Sequence, residues 1–117
     1  EVFLSDIPLV APIGIEADGA GNVYVADETR LLEYSPEGRL LTVYGSTASG
    51  FADGGPAAVR FGRLKGLGKD GAGRLLLVDD PEIGSPRLRR LDPATDQTET
   101  LLTLDDTAGI DASMYST

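Results

Sequence analysis

Two acidic pairs, Asp27-Glu28 and Asp79-Asp80, and two arginines, Arg30 and Arg87, are the side chains with the clearest capacity for chemistry. Each acidic pair ends an apolar run, and each arginine follows a few residues on, so the two groups hold corresponding places. Brought onto one face they would bind a cation or basic ligand, calcium foremost, because its ligands are oxygens. The alternative is that the aspartates cap turns through local backbone bonds. Arg30 and Arg87 either receive an anionic ligand group or pair with the neighbouring carboxylates. Asp53 lies in a glycine-rich stretch, as a ligand contact or a loop-closing turn. The sequence has neither histidine nor cysteine. A Ser-His-Asp triad, a histidine base, a histidine-held metal and thiolate chemistry are therefore excluded within this chain. No cofactor other than calcium is implied.

The acidic pairs correspond because the sequence around them occurs twice. The stretch from Ile15 to Asp27 returns between Leu67 and Asp79, with Asp18 and Asp70, and likewise Gly21 and Gly73, 52 positions apart. Arg30-Leu31 returns as Arg87-Leu88, 57 positions on, so the second copy carries five extra residues after Asp79. A recurrence of this length predicts one supersecondary unit stacked beside its copy.

Each unit reads as four short antiparallel strands bounded by Gly, Pro and Asp. The first has strands near Ile13–Ala17, Asn22–Ala26, Arg30–Tyr34 and Arg39–Tyr44; the second near Leu64–Lys69, Arg74–Asp79, Arg87–Asp92 and Thr98–Leu104. Asp18-Gly19-Ala20-Gly21 and Asp70-Gly71-Ala72-Gly73 are hairpin turns, with Asp bonding nearby backbone and Gly accepting positive φ. Val23-Tyr24-Val25-Ala26 and Leu75-Leu76-Leu77-Val78 are apolar at successive positions, which predicts strands covered on both faces. The connection Gly45–Phe61 is long; Phe51 and Phe61 are expected to tuck beneath it, and 56–60 to form one helical turn.

Pro12-Ile13-Gly14-Ile15, Asp18, Gly21-Asn22-Val23-Tyr24-Val25-Ala26-Asp27, Arg30-Leu31 and Gly38 together resemble an NHL repeat, a blade of a β-propeller. Gly50-Phe51-Ala52-Asp53-Gly54, through Ala58 and Phe61 to Gly66-Leu67 and Asp70, is similar to the inter-blade loop of bacterial NHL proteins. The resemblance covers roughly residues 12 to 103. Lys65 stands where a proline is usual, and Val78 replaces the alanine before Asp79. The implied fold is all-β: two four-stranded antiparallel blades of an NHL-type propeller, incomplete as a single ring. The implied division is a leading strand or pairing segment (1–11), a first blade (12–44), an inter-blade loop (45–63), a second blade (64–104) and a polar tail (105–117).

Propellers of this kind have about six blades, so three chains of two blades would complete a ring as a homotrimer. Fold relatives include metal-dependent lactone hydrolases and histidine-dependent lyases. The lyase chemistry is closed to this chain, and Val10-Ala11-Pro12 stands near where the lactonases place a glutamate ligand. Nineteen acidic residues against ten basic give a net charge of −9, a poor match for nucleic acid or anionic membrane. No apolar run approaches the length of a spanning helix. The chain starts at Glu1 and its one methionine is Met114, pointing to a removed leader or an excerpt. An extracellular or periplasmic setting is favoured. Three readings follow: a non-catalytic module binding a protein or small-molecule ligand, part of a metal-dependent lactonase-like hydrolase, or a structural segment of a larger extracellular protein.

Overall fold

Turn chemistry sets the architecture. In the computed structural model, which describes residues 8–81 and 83–103, the Asp18 carboxylate accepts the amides of Ala20 and Asn22, and Gly21 takes a φ of 87°. Asp70 repeats this with the amides of Ala72 and Arg74, and Gly73 takes 82°. These bonds, led by the Arg74 amide, hold the Asp70 carboxyl below its ordinary range. Ser35-Pro36-Glu37-Gly38 closes a third turn through the Gly38 amide and the Ser35 carbonyl. Most of the expected pairing segment 1–11 and all of the tail 105–117 lie outside the described residues.

Eight strands result: β1 (Pro12–Ala17), β2 (Val23–Asp27), β3 (Arg30–Tyr34), β4 (Leu40–Gly45), β5 (Leu64–Lys69), β6 (Leu75–Asp79), β7 (Arg87–Asp92) and β8 (Gln97–Thr103). They form two four-stranded antiparallel sheets, ordered β1-β2-β3-β4 and β5-β6-β7-β8, and no helix occurs among the described residues. Every strand ends within one or two residues of its sequence expectation.

The registers make the sheets equivalent residue by residue. Pro12 and Leu64 pair with Asp27 and Asp79, each followed by a bulge, so Leu64 rather than Lys65 holds the proline position. Leu31 pairs with Ala26 and Tyr44 as Leu88 pairs with Val78 and Leu102. Strand alternation then gives each sheet two faces. The leading face carries Val25, Asp27, Leu32 and Tyr34 in the first sheet, and Leu77, Asp79, Arg89 and Leu91 in the second. The trailing face carries Tyr24, Ala26, Leu31 and Tyr44, or their equivalents Leu76, Val78, Leu88 and Leu102.

The first sheet's trailing face packs on the second sheet's leading face. Tyr24, Ala26, Leu31 and Tyr44 share one core with Leu64, Leu75, Leu77 and Leu91, and Val59 and Phe61 from the connecting loop fill the space between. A smaller core lies on the first leading face, where Val25, Leu32 and Tyr34 pack with Leu9, Val23, Leu40 and Val43. The expectation that both second strands are covered on both faces therefore holds for β2 but fails for β6. Val78 is 43% exposed and Leu102 48%, because no described element covers the second trailing face. Phe61 is buried as expected, whereas Phe51 stays 53% exposed. Residues 55–59 make a single turn in which the Gly55 carbonyl accepts the amides of Ala58 and Val59, and Arg60 beyond it pairs with Ala52.

Tyr24, Tyr34 and Tyr44 are buried and structural. Tyr24 Oη lies 3.1 Å from Glu33 Oε2, and Tyr44 Oη donates across the sheets to Asp96 Oδ1 at 2.8 Å. Burial foremost, then the charge of Glu33 on Tyr24 and the bond to Asp96 on Tyr44, push these phenols well above their ordinary value of 10.0; burial also raises Tyr34. An unfolded chain would release these protons near pH 10 while the folded one keeps them, so this stability is intact below pH 10 and lost as pH rises beyond it. Spectrophotometric titration is expected to show Tyr24, Tyr34 and Tyr44 ionising together with alkaline unfolding, not before it.

Candidate functional site

Asp27 and Asp79 perform the same task at the ends of β2 and β6. Asp27 Oδ1 accepts the amides of Val10 and Ala11 at 2.9 and 2.7 Å; Asp79 Oδ1 accepts those of Gly62 and Arg63 at 2.9 and 3.0 Å. Each carboxylate thus fastens the chain entering its sheet. Gly62 suits the crowding there, since a Cβ would lie 2.6 Å from Pro81 Cβ.

The arginine partners differ. Arg30 grips Asp27 through Nε and Nη2 at 3.0 and 2.9 Å and donates to the Pro8 carbonyl. Its equivalent, Arg87, does not reach Asp79. That carboxylate is held instead by Arg89 Nη1 at 2.8 Å, with both side chains at 0% exposure. Arg89 takes the place that Leu32 holds in the first sheet. Its guanidinium also donates to the Arg60 and Ala52 carbonyls and to Asp53 Oδ1, at 3.0, 2.7 and 3.0 Å. Only Nε has no partner among the described residues. The group lies 5.2 Å from the Phe51 ring and 5.0 Å from that of Phe61. Asp53 completes the clamp, accepting the Thr100 hydroxyl at 2.8 Å. The long loop is tied to β8 as well, through reciprocal backbone bonds between Gly54 and Thr98.

Displaced from Asp79, Arg87 stacks its guanidinium on Phe51 at 3.8 Å, a favourable cation–π geometry. No carboxylate pairs with it among the described residues. Beside it opens a cavity of about 450 Å³, with Phe51, Pro81 and Ile83 as apolar walls and Thr47 and Ser49 contributing hydroxyl groups. Glu28 and Arg63 line it too, and also line a neighbouring cavity of about 320 Å³ beside β1 and β5. Glu28 has a φ of 57°, a conformation costly for a residue with a side chain, and its carbonyl accepts the Leu64 amide at 2.6 Å.

The sequence-derived candidates therefore separate. Asp27 and Arg30 form one closed pair; Asp53 and Asp79 converge on Arg89. Glu28 and Arg87 line the larger cavity. Asp80 donates its amide to the Arg63 carbonyl, and its carboxylate has no partner among the described residues. No three acidic side chains gather into a metal-binding group among the described residues. The sequence gives Arg89, Arg63 and Phe51 no site role. The available signal was Arg89 standing where the first copy has Leu32, a charge in a core position. Comparison of the chain with family models, curated proteins and solved structures returns no match.

Removing one partner of a buried ion pair costs about 3–5 kcal/mol, because the other charge is left buried and uncompensated. Asp79→Asn is expected to lower stability by about 3 kcal/mol or more. Arg87→Ala, which breaks no ion pair, should cost less than about 1 kcal/mol. Urea denaturation of the two variants checks the contrast.

Proposed function

We propose that the chain comprises two consecutive blades of an NHL-type β-propeller and works as a non-catalytic interaction and binding module, three copies closing a six-bladed ring. The observation that carries this reading is the trailing face of the second sheet, which no described element covers. Leu76, Val78, Leu88 and Leu102 occupy the positions through which Tyr24, Ala26, Leu31 and Tyr44 hold the first sheet against the second. A surface that seats a neighbour in one copy and carries aliphatic residues at the same points in the other is built for a further neighbour. The complementary surface is the rim of the first leading face, where Ile15, paired with Val25, is 69% exposed; the centre of that face, Val25, Leu32 and Tyr34, is already buried in the single chain. Such a contact is head-to-tail and closes only if its rotation divides a full turn.

A binding role is favoured over hydrolysis because Asp27, Asp53 and Asp79, three of the five candidate carboxylates, are already committed. Asp27 and Asp79 spend their oxygens on backbone amides and arginines, and Asp53 on Arg89 and Thr100. A lactonase-like reaction would need free ligand oxygens, and these serve the fold.

Light scattering coupled to size exclusion is expected to give the mass of three chains. Val78→Asp places a charge on a side chain already part-exposed in the single chain, so it should keep the strand content and return a monomer. A monomeric native chain would overturn the ring.

A further inference from the structure

We propose that the cavity beside Arg87 is a binding site for a small molecule that joins a single carboxylate to a flat apolar body, the carboxylate docking on the Arg87 guanidinium. This rests on the binding-module reading, but the cavity is built from one chain and needs no second copy.

The argument begins with the exchange of arginines between the sheets. In the first sheet the arginine after the β2–β3 turn is consumed by Asp27 and the Pro8 carbonyl. In the second, Arg89 saturates Asp79, and Arg87 keeps the same strand position with no carboxylate against it among the described residues. Arg87 is nevertheless held in place, its planar group resting 3.8 Å above the Phe51 ring. Stacking uses the faces of a guanidinium and leaves its in-plane N–H donors available for a bidentate partner. In a chain of net charge −9, an arginine with no carboxylate against it among the described residues, and no backbone carbonyl taking its donors either, is open to an anion.

The surroundings narrow the class. Among the described residues, Arg87 and Glu28 bring opposite charges to the lining of the cavity. That glutamate disfavours ligands of high negative charge, phosphate esters among them, and leaves room for a monoanion. Phe51, 53% exposed, and Ile83, 92% exposed, are apolar side chains held at the surface around this opening. With Pro81 they offer a flat or aliphatic body a place to lie, in a volume of about 450 Å³ suited to a small molecule. The five-residue insertion that distinguishes the second copy falls between Asp79 and Arg87, so Ile83 has no counterpart in the first.

The test uses the whole chain, isotope-labelled, titrated with benzoate and separately with benzamide, its neutral analogue. Benzoate is expected to shift the amide signals of Gly50, Phe51 and Arg87 saturably, and benzamide to bind at least about tenfold more weakly, the value of a charge-assisted hydrogen bond. Arg87→Gln should weaken benzoate by a similar factor with its melting temperature close to the native one, and Arg87→Lys should restore only part. Arg90→Gln, which removes only a partly exposed pair with Glu99 away from the cavity, should leave benzoate binding unchanged. Equal binding of benzoate and benzamide, or no saturable shift in a folded chain, would overturn the proposal. A monomeric chain that binds benzoate would sink the ring alone.

Discussion

The guanidinium of Arg89 lies at 0% exposure between the second sheet and the long loop, and its four hydrogen bonds among the described residues reach β6 and two points of the loop. A buried charge is tolerable only when it is paired and its hydrogens are used. Asp79 supplies the charge from β6; Asp53, Ala52 and Arg60 supply acceptors from the loop. The loop must therefore run where it does, and Val59 and Phe61 are carried with it into the core between the sheets. The same constraint excludes Arg87 from Asp79 and turns it onto Phe51. One buried cation thus sets the loop path, the filling of the inter-sheet core and the character of the cavity rim.

The first sheet reaches a comparable arrangement by a shallower route. There the aspartate is met by Arg30, at the edge of the sheet, and the position of Arg89 is filled by Leu32 in an apolar core. Both solutions fasten the entering chain by two amides on one carboxylate oxygen, the feature that the two copies share most closely. What differs is where the charge sits. A buried arginine gives directional ties to a loop that leucine could not provide, at the cost of a guanidinium that must find partners on every side.

Most of the architecture was legible in the sequence, for local reasons. Asp-Gly-Ala-Gly and Ser-Pro-Glu-Gly force tight turns whatever surrounds them, and the apolar runs between leave strands as the only elements of suitable length. The sheet order follows from consecutive hairpins. The site was less legible because it depends on partners distant in sequence. Asp53 and Thr100, or Tyr44 and Asp96, come together only once the sheets stack. Arg87 and Arg89 stand two apart on one strand and so on one face, and composition alone does not say which is buried; only the comparison with Leu32 singles out Arg89. Phe51 reads as a core residue by type, and its exposure becomes intelligible only with a guanidinium resting on it.

The central claim, that Arg89 fastens the loop to the second sheet, is tested most directly by native-state hydrogen exchange on Arg89→Met. In the native chain the amides of Gly50, Ala52, Gly54 and Arg60, all bonded within the loop or to β8, should exchange at rates like those of β7. In the variant they should open locally and exchange about a hundredfold faster than the β7 amides, as expected when ties worth a few kcal/mol are removed. Loop amides that stay as protected as β7 in the variant would contradict the account.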